Sequence, residues 1–235
     1  MRKPTLLLLH GALGSPGTLQ PLAEHLAADF TVKSLAFAGH GGGEVRPETF
    51  TLPHFATEVL AFLATNESEP AQVFGYSMGG YAALLAARQA PARFAAITTL
   101  GTKLDWSPES AAAETRLLDP EKMQAKVPAF AEQLRQRHAP ADWTAVVQAT
   151  AALMHAAGAA PPLSASDLGS ITVPVQVLVG DADSTAGSAA GAALAARRLP
   201  NSRYEVLPAT PHPLERVDLT LLSERIRAFA RRGAQ

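Results

Sequence analysis

The sequence contains no cysteine. This excludes disulfides, thiolate nucleophiles and cysteine-based zinc sites, and it leaves the redox compartment open. Charge is sparse: 17% of residues are Asp, Glu, Lys or Arg, and the net charge is −1. No stretch is strongly basic, so nucleic acid and anionic lipid are not expected partners. No apolar run is long enough to cross a bilayer. Met1-Arg2-Lys3 followed by Thr5 to Leu9 imitates the start of a signal peptide, but His10-Gly11 ends the run early. A cytoplasmic location is the expectation. Neither His-x-x-x-His nor His-Glu-x-x-His occurs, and no Gly-x-Gly-x-x-Gly opens a helix after a strand. His40-Gly41-Gly42-Gly43 lacks the lysine and hydroxyl residue of a phosphate loop. No metal and no cofactor are therefore expected.

What is present is apolar. Hydrophobic residues make up 47% of 235, enough for one domain with a sizeable core and room for an inserted subdomain. Thr5 to Leu9, Thr31 to Ala36, Ala71 to Phe74, Ala95 to Leu100, Val173 to Val179 and Arg203 to Leu207 read as strands. Their near-continuous apolar character suits strands buried on both faces of a parallel sheet. Helical patterns alternate with them at Pro16 to Ala28, Leu52 to Ala64, Gly80 to Gln89, Gly187 to Leu199 and Leu219 to Arg231. This β–α rhythm implies a doubly wound, mostly parallel sheet of about six strands. The rhythm stops from about Thr102 to Ser170, where the chain is Ala-rich, helical and broken by prolines. The predicted organisation is a core of residues 1–101 and 171–235 with a helical cap, 102–170, inserted between them. Ligands of such sheets bind beyond the C-terminal strand ends.

Gly75-Tyr76-Ser77-Met78-Gly79 stands between a strand and a helix. In that context Gly-x-Ser-x-Gly makes a strained turn that lifts the serine hydroxyl clear of the backbone. The helix that follows aims its unpaired N–H groups at the site. A serine hydroxyl is weak at neutral pH and needs an adjacent base. His212, in a proline-flanked loop after the last strand, is the candidate. An acid must fix its tautomer. Gly180-Asp181-Ala182-Asp183 offers two aspartates. Asp183, set further into the loop, is favoured, with Asp181 expected to tie down the loop. The oxyanion donors are expected at the N–H groups of Met78 and Ala12. Leu13 is expected to line the acyl pocket, with Trp106, Trp143 and His155 as further pocket candidates from the cap. His10 and His40 are expected to brace loops.

Together, Leu9-His10-Gly11-Ala12-Leu13-Gly14, Ala38-Gly39-His40-Gly41, Gly75-Tyr76-Ser77-Met78-Gly79-Gly80, Gly180-x-x-Asp183 and His212 resemble the α/β-hydrolase superfamily over nearly the whole chain. The resemblance implies an α/β-hydrolase fold, Ser77, Asp183 and His212 as catalytic, and Ala12 and Met78 as oxyanion donors. The Gly-Tyr-Ser-x-Gly-Gly and Gly-His-Gly-Gly stretches also look like the menaquinone-pathway lyase branch that eliminates pyruvate (SHCHC synthase). That branch has an arginine directly after Gly-Gly, where this chain has Tyr81.

The leading expectation is a serine carboxylesterase acting on small-molecule esters through an acyl-enzyme, as a monomer or homodimer. The alternatives are a triad-dependent lyase of that branch and a slow-turnover small-molecule receptor.

Overall fold

The computed structural model describes residues 3–66, 69–186 and 189–231. The strands are β1 (Thr5–Leu9), β2 (Thr31–Leu35), β3 (Ala71–Tyr76), β4 (Phe94–Leu100), β5 (Val175–Gly180) and β6 (Ser202–Leu207). They form one sheet of six in the order β2-β1-β3-β4-β5-β6. Every neighbouring pair is parallel. The helices are α1 (Gln20–Leu26), α2 (Leu52–Asn66), α3 (Met78–Gln89), α4 (Pro108–Thr115), α5 (Pro120–Lys126), α6 (Pro128–His138), α7 (Trp143–Ala159), α8 (Ala165–Gly169), α9 (Ala189–Arg198) and α10 (Leu219–Ala230).

The leucine run of β1 shows why the sheet is covered on both faces. Strand side chains alternate. Leu7 and Leu9 enter one core with Phe55 and Val59 of α2 and the alanine-rich α3. Leu6 and Leu8 enter another with Leu22 and Leu26 of α1 and Leu222 and Ile226 of α10. Order reverses around β1: the chain moves outward to β2 and returns past β1 to β3. A crevice opens at such a switch point, beyond the C-terminal strand ends. The loops after β1 and β3, with Ala12 and Ser77, meet there.

Helices α4 to α8 fill the interval between β4 and β5. Pro108, Pro120 and Pro128 do more than interrupt this stretch, because each is the first residue of its helix. A proline there loses no hydrogen bond, since a first-turn N–H has no helical partner. Leu134 of α6 and Val146, Val147 and Leu153 of α7 join the same core as α2 and α3.

The predicted helix from Pro16 to Ala28 is divided. A 3-10 turn covers Pro16–Leu19, and α1 starts at Gln20. Pro21 can sit only in a first helical turn, so the α-helix begins afresh beside it. The helix predicted from Gly187 begins at Ala189 among the described residues, and positions 187 and 188 lie outside them. No helix among the described residues is long and apolar enough to cross a membrane.

Candidate active site

Ser77 joins β3 to α3 with φ 51° and ψ −115°. A non-glycine residue with positive φ is strained and persists only where its surroundings hold it. The backbone of Ser77 is held on both sides. Its N–H donates to the Leu100 carbonyl at 2.8 Å. Its carbonyl accepts from the Thr102 hydroxyl and from the Gly80 N–H, both at 3.0 Å. The turn is also packed without slack: a Cβ on Gly75 would lie 2.4 Å from the Gly80 Cα.

His212 follows β6. Its Nδ1 meets Asp183 Oδ2 at 2.8 Å. The other carboxylate oxygen of Asp183 accepts the N–H groups of Thr185 at 2.8 Å and Ala186 at 2.9 Å. Burial alone would raise the Asp183 pKa. The hydrogen bond and charge of His212, with the two backbone donors, outweigh burial and hold it below the ordinary value. The carboxylate stays ionised and can only accept, so the hydrogen bond between the two is donated by His212 Nδ1. Asp181 instead accepts the Thr210 N–H at 3.2 Å and so anchors the loop that carries His212.

Ser77 and His212 line one cavity of about 260 Å³, together with Ala12 and Leu13. A second cavity, of about 40 Å³, is lined by Ala12, Ser77, Met78 and Trp106. Thus Ser77, His212, Ala12, Met78, Leu13 and Trp106 all converge on one place, and Asp183 stands behind His212. Trp143 and His155 do not. Trp143 is buried within the core of α6 and α7, so its ring is packing. His155 lines a separate surface cleft with Arg116, where its Nε2 meets the Thr115 hydroxyl at 3.1 Å. Both lie on α7, but its pocket-facing residues are Thr150, Leu153 and Met154.

Sequence reasoning missed what holds the loop after β1. Leu13 has φ 59°. Its carbonyl accepts Arg137 Nη1 at 2.8 Å and pairs with His138 Nε2 at 3.1 Å. Both donors end α6. The only signal was a basic last turn, Arg135 to His138, which equally suits the negative end of any helix. His138 Nδ1 in turn accepts the Gly41 N–H at 3.2 Å. His10 bridges two core loops, meeting the Gly11 carbonyl at 2.8 Å and accepting the Phe37 N–H at 3.3 Å. His40 lies between them, its ring 4.9 Å from His10 and 5.9 Å from His138. Burial lowers all three pKa values, that of His10 to about 4. His10 and His138 each use both ring nitrogens, whereas His40 Nδ1 meets the Ala38 carbonyl at 3.1 Å and its buried Nε2 has no partner among the described residues. No group of His, Asp and Glu among the described residues is arranged to hold a metal ion.

The family described as alpha/beta hydrolase fold matches residues 4–164. The chain belongs to that family. Among curated relatives, a pimeloyl-[acyl-carrier protein] methyl ester esterase of Aromatoleum aromaticum is 36% identical over 115 residues, covering 48% of this chain and 44% of that protein. The protein of the same name from Xanthomonas oryzae pv. oryzae (strain MAFF 311018) is 34% identical over 88 residues, covering 37% of this chain and 33% of its own length. The chain thus aligns with less than half of either relative. Among solved structures, NosK from Streptomyces actuosus superposes with a TM-score of 0.84 at 22% identity, each chain fully covered. MenH from S. aureus does so with a TM-score of 0.77 at 21% identity, covering 100% of this chain and 96% of that one. At these identities the two structures speak for the fold alone.

Proposed function

We propose that this protein is a carboxylic ester hydrolase that works through an acyl-enzyme on Ser77. The observation that carries the reading is the shared cavity of Ser77 and His212, with His212 Nδ1 held by Asp183 at 2.8 Å. His212 Nε2 takes the Ser77 proton as Oγ attacks the ester carbonyl. The N–H groups of Ala12 and Met78 receive the oxyanion. His212 then gives its proton to the departing alcohol, and a water activated by the same imidazole releases the acid. Helices α4 to α8 act as a cap, since Leu118, Phe130, Arg137 and Met154 wall the cavity. The name borne by the curated relatives supports ester hydrolysis as the reaction class.

Elimination of the menaquinone-pathway type is the weaker reading. Tyr81 is 2% exposed and its hydroxyl accepts the Leu163 N–H at 3.0 Å, so it cannot replace an anion-binding arginine. Arg135 is engaged by Glu132, and Arg116 lines the separate cleft, which leaves Arg137 as the one cap arginine on the cavity. Hydrolysis of p-nitrophenyl esters by the wild type and by Ser77→Ala tests the proposal. The expected loss is about a thousandfold or more. Equal rates in the two proteins would overturn it.

A further inference from the structure

Ser77 sits where the two cavities meet, and the two are unequal. Ala12, Ser77 and Met154 line both. The wide branch, about 260 Å³, contains His212 and is walled by Leu13, Leu118, Phe130 and Leu214. The short branch, about 40 Å³, is lined by Met78, Leu52, Tyr81, Trp106 and Leu153, with Lys103 as its one charged residue. Part of its wall is anchored. Tyr81 is tied to the Leu163 N–H at 3.0 Å. Lys103 lies 3.6 Å from Glu114 and 5.6 Å from the Trp106 ring centre.

Acyl transfer decides which half of an ester enters which branch. Ser77 Oγ bonds to the carbonyl carbon, and its proton passes to His212. The bond from that carbon to the alcohol oxygen then breaks, and His212 returns the proton to the leaving oxygen. The leaving oxygen must therefore lie within reach of His212, which faces the wide branch. The carbonyl oxygen turns to Ala12 and Met78, and the acyl substituent is left with the branch that Met78 lines.

We propose that this site takes esters of a short acyl group, acetyl to butyryl, with a large and mainly apolar alcohol. The short branch, at about 40 Å³, has room for only a few non-hydrogen atoms. The wide branch holds several times more. This partition reverses the one in the name of the curated relatives, a methyl ester of a long acyl chain. It rests on the acyl-enzyme reading above.

Phenethyl acetate and methyl hydrocinnamate are isomers with the ester reversed, and neither alcohol is chemically activated. Wild-type protein should favour phenethyl acetate by about 10- to 200-fold in kcat/KM, the range that misfit in an apolar pocket commands. Trp106→Ala and Leu153→Ala should each raise the rate on phenethyl hexanoate relative to phenethyl acetate by about tenfold. Phe130→Ala, on the wide branch, should leave that ratio unchanged. A preference for methyl hydrocinnamate, or equal rates on the two isomers, overturns the partition while leaving the esterase intact. Inactivity on both isomers and on p-nitrophenyl acetate overturns the acyl-enzyme reading and the partition with it. The isomer comparison needs no variant, so it stands even where a substitution prevents folding.

Discussion

Tyr76 donates its phenolic hydrogen to the backbone carbonyl of His212 at 2.7 Å. The two rings also lie 5.3 Å apart. The residue that precedes the proposed nucleophile thereby holds the loop of the proposed base. Burial raises the Tyr76 pKa far above its ordinary value, so the hydroxyl remains a donor at any working pH. Tyr76→Phe keeps the ring and removes the bond. A loss of about 1 kcal/mol in stability is expected. The fall in kcat should exceed what the shift in Tm implies, because the freed loop carries His212. Steady-state kinetics beside a thermal melt would show this, and an unchanged kcat would deny the coupling.

Asp183→Asn tests the acid directly. An amide can accept the same two backbone N–H groups, from Thr185 and Ala186, so the loop should keep its shape. Toward His212 an NH₂ group would replace an acceptor and favour the wrong tautomer. A fall of about ten-thousandfold in kcat is expected with little change in KM. Asp181→Asn should cost far less, because the Asp181 carboxylate accepts the Thr210 backbone N–H, which an amide oxygen can also do.

Gly101 has φ +61°, and a Cβ there would stand 2.9 Å from Asp183 Oδ2 and 3.1 Å from His212 Nδ1. Gly101→Ala should destabilise by about 1 kcal/mol through backbone strain. It should lower kcat by roughly a hundredfold, since the pair must move to admit the methyl group. Turnover reduced to about a hundredth with a melting temperature near wild type would match that expectation.

The three buried histidines make stability depend on pH. For His10 the folded pKa falls from 6.5 to about 4, chiefly by desolvation, with His138 and Arg137 adding repulsion. Between these values the unfolded chain binds a proton that the folded chain refuses. Stability therefore rises with pH across that window and is lost as pH falls. His10 alone contributes on the order of 3 kcal/mol to this dependence. Melting curves from about pH 4 to 7 would show the slope. His40→Phe, which removes one buried imidazole, should flatten it.

The proposed triad of Ser77, Asp183 and His212 could be put forward from the sequence because each sits in a short motif at a strand end. The six strands were visible because buried parallel strands are apolar throughout. Trp143 and His155 went astray for a different reason. On one alanine-rich helix with apolar residues on most sides, the sequence cannot say which face meets the core, which the cavity and which the solvent. Arg137 and His138 stayed hidden because their acceptor is a backbone carbonyl more than a hundred residues away. Backbone carbonyls carry no sequence signature.

The grip of Arg137 and His138 on the Leu13 carbonyl bears on any attempt to graft helices from one family member to another. Those two side chains belong to the segment proposed as a cap, whereas Leu13 and its neighbour Ala12 follow β1. Exchanging the insertion would replace the pocket walls and also release the loop that presents the Ala12 N–H. A chimera should then lose turnover on every substrate alike, however well its new walls fit one of them. Restoring the Arg-His pair at the end of the foreign helix should recover the common loss and leave the new selectivity in place.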